Sequence, residues 1–354
     1  MDIAFLGGLF PKHKEAEIIA NSRGPLHFAA NNLQWAIVNG FDLIENCSMS
    51  LINVMFIGSY PGCYKKLIIR TETFSHNSNS SDINLGYINL VGFKMIFRCI
   101  SAIKGLLRWA DKIQMRKVIL IYSIHTPFIL ASLFTRLFYP EMKIFMIVPD
   151  LPQYMSDSKN IIYRALKYFD MLIIKKAIRK INGFVLLTEA MSEKLCIIDR
   201  PHIVIEGVYD NRRKLYRHSL TRTKKIVLYS GTLSKRYGLL NLLDAFSQIR
   251  DEYFELWICG DGDAKTEIII RQSKDLRIKY FGKVSIYKSL ELMQEATVLV
   301  NPRTSDGEYT KYSFPSKVID YLASGTPTIM FRLPGIPEEY FKYCFIPEKE
   351  TVDS

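Results

Sequence analysis

The stretch whose reading decides the fold is Asn301-Pro-Arg-Thr-Ser-Asp-Gly-Glu-Tyr-Thr-Lys-Tyr-Ser-Phe-Pro-Ser-Lys-Val-Ile-Asp-Tyr-Leu-Ala-Ser-Gly-Thr-Pro-Thr-Ile329. It opens at the end of a short apolar run, Val298–Asn301, that reads as a strand. A polar loop leads to Pro315 and Ser316, residues suited to a helix start. The helix predicted over 316–324 carries Lys317 and Asp320 and stops at Gly325. Pro327 then enters a second apolar run, Thr328–Phe331. Lys317 falls in the first helical turn, where the helix dipole disfavours a bare cation. A bound diphosphate would remove that penalty, and Asp320, one turn deeper, is placed to accept hydrogen bonds from ribose hydroxyls.

The same strand–loop–helix grammar extends upstream. Strands are predicted at Ile226–Tyr229, Glu255–Cys259, Ile278–Phe281 and Val298–Asn301, and downstream at Thr328–Phe331 and Cys344–Ile346, with helices near 238–250, 263–274 and 286–295. The first half shows strand-like runs at Ile3–Leu6, Ile52–Ile57, Ile88–Val91, Val118–Tyr122, Ile144–Val148, Phe184–Leu187 and Ile203–Ile205. Helical segments near 28–39, 95–115, 127–138, 160–181 and 189–196 lie among them. Such alternation predicts an α/β chain whose parallel sheets are covered on both faces. Between 210 and 225 the pattern gives way to a polar, basic stretch, read as a linker. The expected organisation is therefore domain 1–209, linker 210–225 and domain 226–354, with ligands at the carboxyl ends of the strands.

Three further motifs precede the deciding stretch. Tyr229-Ser-Gly-Thr-Leu-Ser-Lys-Arg-Tyr-Gly238 ends a strand, carries Gly231, Thr232, Lys235 and Arg236, and leads to a helix, a suitable cradle for an anion. In Cys259-Gly-Asp-Gly-Asp263, Gly260 and Gly262 permit a tight turn and close approach by a ligand. Its Asp-x-Asp reads as a strand-to-helix turn rather than a metal motif. Phe281-Gly-Lys-Val284 closes a strand and leaves Lys283 and Val284 to face a flat base. In the first half, Gly8 follows the first strand and is expected beside a diphosphate or acceptor. Asn31, Asn32 and Trp35 lie on a helix that is either acceptor-facing or simply packed, and His125 follows a strand, where it would touch sugar or acceptor.

In this order the four motifs resemble those of the retaining GT-B glycosyltransferases, and most of all the large family 4 of bacterial capsule, exopolysaccharide and O-antigen enzymes. The likeness is densest from Val227 to Met330, and Ala29–Trp35, Ser123–His125, Val148–Pro152 and Ile205–Gly207 are similar too. The resemblance implies two Rossmann-like domains facing across a cleft, with the acceptor on the first and a nucleotide-sugar on the second. It implies transfer of a hexose-type sugar with retention, without metal or other cofactor. It also implies a donor site that includes Tyr312, Ser313, Phe314, Pro315, Ser316, Lys317 and Asp320, with His125, Arg236 and Lys317 as catalytic candidates. The family pattern places two glutamates around a seven-residue spacer. Here Asp320 fills the second position and Tyr312 the first, leaving Glu308 or Asp306 as loop alternatives. Thr232 and Tyr237 stand where the phosphate loop usually has arginine and lysine, with Lys235 and Arg236 beside them. Relatives of this kind run on into a long final helix, so a chain ending at Ser354 is either naturally short or truncated.

Charge adds the expected partners. The formal net charge is +12, and Lys94–Lys180 holds sixteen Lys/Arg against five Asp/Glu in a stretch rich in Phe, Tyr, Leu and Ile. Basic, aromatic and aliphatic residues together favour an anionic membrane surface over nucleic acid. No transmembrane run and no signal peptide are visible, so the expected location is cytoplasmic, peripheral to the inner face of the plasma membrane, with a lipid-linked or saccharide acceptor. Six cysteines without metal-ligand spacing read as buried reduced thiols. Two other readings remain open: a nucleotide-sugar epimerase on the same fold, which needs no acceptor, and a non-catalytic nucleotide-sugar or lipid-binding partner of a polysaccharide assembly complex. A hydride-transferring Rossmann enzyme is disfavoured because no Gly-x-Gly-x-x-Gly follows the first strand.

Overall fold

The computed structural model describes residues 1–24, 26–78, 80–113, 116–154, 161–210 and 224–352. The chain divides into two compact units, Met1–Val208 and Tyr209–Ser354. Most of the stretch read as a linker, 211–223, lies outside the described residues, and Lys225 is already the first residue of a strand.

The first unit runs β1 (Asp2–Gly7), α1 (Glu15–Asn21), α2 (Phe28–Phe41), β2 (Ser48–Asn53), β3 (Ile68–Ile69), β4 (Glu72–Phe74), β5 (Asp82–Asn84), β6 (Tyr87–Ile88), α3 (Lys94–Lys112), β7 (Lys117–Tyr122), α4 (Thr126–Phe138), β8 (Lys143–Val148), α5 (Ile161–Ile178), β9 (Gly183–Leu186), α6 (Ala190–Lys194) and β10 (His202–Val204). Its sheet has the order β10-β9-β8-β7-β1-β2-β5-β4. All its neighbours pair in parallel except β4, which runs antiparallel to β5. The strand order reverses between β1 and β7, so their carboxyl ends mark the switch point where such sheets receive ligands.

Three local readings need correction. The run read as a strand over Ile52–Ile57 stops at Asn53, because that side chain turns inward to Leu9 O at 2.9 Å and Asn84 Oδ1 at 2.8 Å. Of the run Ile88–Val91 only Ile88 is in a strand, as the last residue of β6 in the small antiparallel β3–β6 ribbon. The six cysteines are free, but Cys63 and Cys196 are exposed rather than buried.

The second unit runs β11 (Lys225–Ser230), α7 (Leu239–Gln248), β12 (Phe254–Cys259), α8 (Lys265–Lys274), β13 (Ile278–Gly282), α9 (Ile286–Glu295), β14 (Val298–Asn301), α10 (Lys317–Ser324), β15 (Thr328–Met330), α11 (Glu338–Phe341) and β16 (Cys344–Phe345). Its sheet is all parallel, in the order β13-β12-β11-β14-β15-β16. Along β11 the side chains alternate between two cores. Val227 and Tyr229 enter one with Leu239, Leu243, Phe246 and Ile268, whereas Ile226 and Leu228 enter the other with Leu290, Met293, Leu299 and Tyr321. A strand apolar on both faces has helices on both sides, which is the physical content of a doubly wound sheet. In this unit the switch point falls between β11 and β14.

Candidate nucleotide-sugar site

Helix α10 fixes the centre of the site. Lys317 and Tyr321 are one turn apart and share a face. The Tyr321 hydroxyl accepts from Ser230 N at 2.9 Å and donates to Ser230 O at 3.1 Å, pinning the helix to the last residue of β11. This places Lys317 beyond the carboxyl end of β11. Its ammonium donates to the Tyr229 hydroxyl at 2.7 Å and lies 3.9 Å from the centre of that ring. A Cβ on Gly231 would come within 3.0 Å of the same nitrogen, so glycine leaves the ammonium its place. Gly325 stops α10 in the left-handed conformation, as its sequence position suggests. Ser316, by contrast, makes no side-chain cap bond.

Arg303 is a candidate site residue that sequence reasoning missed. It leaves the end of β14, is 7% exposed, and donates through Nη2 to Ser313 Oγ at 2.7 Å. Its guanidinium carbon lies 5.2 Å from the Tyr237 ring and 4.8 Å from the Tyr309 ring, while Arg236 stacks on Tyr309 at 3.8 Å. Arg303 Nε and both amide atoms of buried Asn301 have no hydrogen-bond partner. The two strand ends flanking the switch point therefore gather Arg236, Arg303 and Lys317 around three tyrosines. Burial, and then the charge of Arg303, lowers the Lys317 ammonium to about 7. A buried amine lowered in this way, beside a second cation, marks a candidate anion site.

This lowering has a consequence for stability. A lysine depressed in the folded state binds fewer protons there than in the unfolded chain between pH 7 and its ordinary value near 10.5. Stability without ligand should therefore rise with pH across that window, and the Lys317 contribution to the rise should vanish in Lys317→Met. Urea midpoints measured at pH 7 and pH 9.5 for both proteins check this.

The other expected donor residues divide. Gly260 and Gly262 serve packing between loops. A Cβ on Gly260 would sit 1.8 Å from Gly231 O, and one on Gly262 2.3 Å from Leu233 O. Asp261 and Asp263 are used locally: Asp261 Oδ1 accepts from Gly262 N at 3.1 Å, and Asp263 Oδ1 accepts from Lys235 N at 2.9 Å. Among the described residues no cluster of three or more His, Cys, Asp or Glu could hold a metal. Lys235 and Arg236 occupy a single 3-10 turn ahead of α7, and Lys235 and Thr232 are exposed. Phe314 is buried edge-on against Tyr340 at 5.2 Å, and Pro315 is buried too, so their side chains hold the loop rather than face a ligand. Tyr312 donates to Glu308 Oε1 at 3.1 Å. Asp320 is half-buried on α10, Val284 packs against the second core, and Lys283 is exposed after β13.

In the first unit most of the candidate residues are already engaged by the fold. Gly8 is buried, its N–H donates to Gln34 Oε1 at 2.8 Å, and a Cβ there would strike the Phe56 ring at 2.3 Å. Its smallness thus accommodates Phe56, and its amide is already used. Asn31 Oδ1 accepts from Phe10 N at 2.7 Å and Trp35 Nε1 donates to Phe10 O at 3.1 Å. Both residues tie the loop after β1 to α2, and only Asn32 of the three is exposed. His125 is wedged edge-on against Phe128 at 4.4 Å, with Arg98 Nη1 at 3.5 Å from its Nε2. Burial first, then the charges of Arg98 and Lys94, push it well below the usual histidine range. A shift in this direction favours the neutral imidazole over the charged one.

Comparison with known proteins bears on the fold and on the second unit. Residues 224–351 match the family model described as glycosyl transferases group 1, so the second unit carries that domain. A curated relative, the putative colanic acid biosynthesis glycosyl transferase WcaI of Escherichia coli (strain K12), is 31% identical over 110 residues, 30% of this chain and 26% of its own length. The chain thus spans about a quarter of that relative. Among solved structures, sucrose-phosphate synthase from Thermosynechococcus elongatus superposes with a TM-score of 0.65 at 15% identity, covering 99% of this chain and 87% of that one. Anabaena HepE in complex with UDP gives 0.60 at 12% identity, covering 100% and 87%. The lipopolysaccharide outer core galactosyltransferase WaaB gives 0.55 at 13% identity, covering 96% and 83%. The fold is GT-B, built from two α/β units with parallel sheets.

Proposed function

We propose that this chain is a glycosyltransferase that moves a hexose-type sugar from a nucleoside-diphosphate sugar to a lipid-linked saccharide, with retention and without a metal, in bacterial surface polysaccharide synthesis. The observation that carries the reading is the cationic cluster at the β11–β14 switch point, with an ammonium lowered to about 7 and an arginine whose Nε lacks a partner. Cleaving a glycosyl phosphate places negative charge on the departing diphosphate, and preorganised cations stabilise that charge in the transition state. Arg236, Arg303 and Lys317 are the groups assigned to it. The family match over the second unit and a UDP-bound structural neighbour support a nucleotide there. The polysaccharide context rests on the WcaI and WaaB likenesses.

Purified protein incubated with a panel of nucleoside-diphosphate sugars should be thermally stabilised by one nucleotide class. With membranes added, label should pass from that donor into a lipid-extractable product. Conversion of the donor sugar without acceptor would instead favour an epimerase, and binding with no transfer a non-catalytic partner.

The membrane part of the proposal rests on the outer faces of α4 and α5, which pack together. No described helix is long and apolar enough to cross a membrane. Yet Leu130, Phe134, Leu137 and Phe138 on α4, and Leu166, Phe169, Leu172 and Ile173 on α5, are all exposed at helical spacing. Exposed Lys175, Lys176, Arg179 and Lys180 lie at the end of α5 and just beyond it. Apolar and basic side chains side by side suit an anionic bilayer surface. The protein should co-sediment with phosphatidylglycerol vesicles, more weakly at high salt, and Leu137→Ser/Phe138→Ser should reduce binding at least about tenfold. Equal binding to phosphatidylcholine vesicles would refute the electrostatic part.

A further inference from the structure

A second group of cations lies in the first unit, and nothing in the donor site uses it. Lys94 and Arg98 are one turn apart at the start of α3, so they share a face. Their side chains meet the segment that follows β2: Lys94 donates to Ile57 O at 3.1 Å, and Arg98 donates to Met55 O. Arg98 also donates to the Tyr87 hydroxyl at 3.2 Å, and its guanidinium carbon lies 5.6 Å from the Phe56 ring and 5.1 Å from the Tyr87 ring. His125, which follows β7, completes the group. The cluster therefore sits beside the β1–β7 switch point of the first sheet, the place where a doubly wound sheet receives its ligand.

The charge in this cluster is unbalanced. Arg98 is 3% exposed, yet among the described residues no hydrogen bond or ion pair joins Lys94, Arg98 or His125 to a carboxylate. Burial, and then Arg98, lowers Lys94 to about 8. A buried arginine normally has an anionic partner, because its desolvation is costly. Two polar atoms are left over, Arg98 Nε and His125 Nδ1, both buried and without a partner. Since Arg98 faces His125 Nε2, the imidazole proton belongs on Nδ1, which makes the unpartnered nitrogen a donor. Lys94 and His125 are only half-buried, so the closed guanidinium is overlaid by two groups with access to solvent. At the start of α3 and just before it, Val91, Phe93, Met95 and Ile96 are 63%, 56%, 49% and 57% exposed, a run of apolar surface next in the chain to Lys94.

We infer that Lys94, Arg98 and His125 receive a phosphate group of the lipid-linked acceptor, whose hydrocarbon chain lies along Val91, Phe93, Met95 and Ile96. The lysine and arginine supply charge, and His125 Nδ1–H supplies a neutral hydrogen bond. This deepens the transferase reading and rests on its lipid-linked acceptor.

The test titrates farnesyl diphosphate, inorganic pyrophosphate, farnesol and uridine diphosphate into the full-length protein and into its Lys94→Met and Arg98→Met variants, with melting curves for each. Farnesyl diphosphate should bind the parent protein saturably, pyrophosphate more weakly, and farnesol not at all. Without ligand Lys94→Met should melt at or above the parent temperature, because it removes one of several uncompensated like charges, whereas Arg98→Met, which strips Met55 O and the Tyr87 hydroxyl of their buried donor, is read by ligand affinity alone. Both should bind farnesyl diphosphate at least about tenfold more weakly and bind uridine diphosphate as the parent does. Unchanged farnesyl diphosphate affinity in Lys94→Met overturns the inference. So does a large loss of melting temperature in Lys94→Met, which would make the cations structural, or a parallel loss of uridine diphosphate binding, which would assign the cluster to the donor. Failure of uridine diphosphate and every other nucleotide to bind the parent protein, with farnesyl diphosphate still bound, would sink the donor reading and leave this site standing.

Discussion

Lys317→Ala is expected to lower kcat/KM by about 10² to 10³-fold, the effect of removing one preorganised group that meets charge developing in the transition state. Nucleotide-induced thermal stabilisation should fall with it. The unliganded variant should lose little stability at neutral pH, because the native ammonium is held there against burial and against the charge of Arg303. That combination separates a binding role from a structural one. A further signature comes from the lowered value of about 7. At pH 8 most Lys317 side chains are neutral without ligand, and a bound diphosphate favours the charged form. Nucleotide binding should therefore take up a proton. The heat of binding would then depend on the ionisation enthalpy of the buffer, and this dependence should shrink in the variant. Unaltered affinity and buffer dependence in Lys317→Ala would remove the proposed phosphate site.

Gly260→Ala is the second large effect, and it acts through the backbone. Gly260 has φ of +138°, and an added Cβ would lie 1.8 Å from the carbonyl oxygen of Gly231. Neither atom can move freely. Gly231 N donates to Cys259 O at 3.0 Å, and Gly260 N donates to Gly282 O at 2.8 Å, so the ends of β11, β12 and β13 are laced together. Backbone strain of this kind costs about 1–3 kcal/mol, and the overlap adds to it, so a loss of about 3 kcal/mol or more is expected. Urea denaturation measures that loss. The shift of Gly231 should also weaken nucleotide binding, since the Lys317 ammonium rests beside that residue. A parent-like urea midpoint would mean that these strand ends part cheaply.

Most of the architecture is legible in the sequence because its signals are local. Apolar runs such as Val118–Tyr122 are too short for a helix, and Gly325 marks a helix end that the structure uses. The small strands β3 to β5 are invisible because two- or three-residue pairings leave no period to read. Within the site, Lys317 is legible from its awkward place in a first helical turn. Arg303 is not, because an arginine in a polar loop looks solvent-facing, and only the tertiary fold buries it beneath two tyrosines. Asn31 and Trp35 mislead for the converse reason: polar atoms on a helix suggest a ligand, whereas in the fold they satisfy the main chain at Phe10. Lys94 and Arg98 fall in the basic stretch read as a membrane-facing surface, since spacing cannot reveal that the segment after β2 closes over them.

The division of the molecule at Val208 and Tyr209 has an evolutionary consequence. Each half owns a complete sheet and a separate apolar interior, so a gene fusion with one joint in this region would carry an intact half into a new chain. For a transferase that reads its donor with one half and its acceptor with the other, the two preferences could then be exchanged as whole cassettes. On the proposed reading, new linkages would arise by shuffling halves, with no need to rebuild either specificity residue by residue.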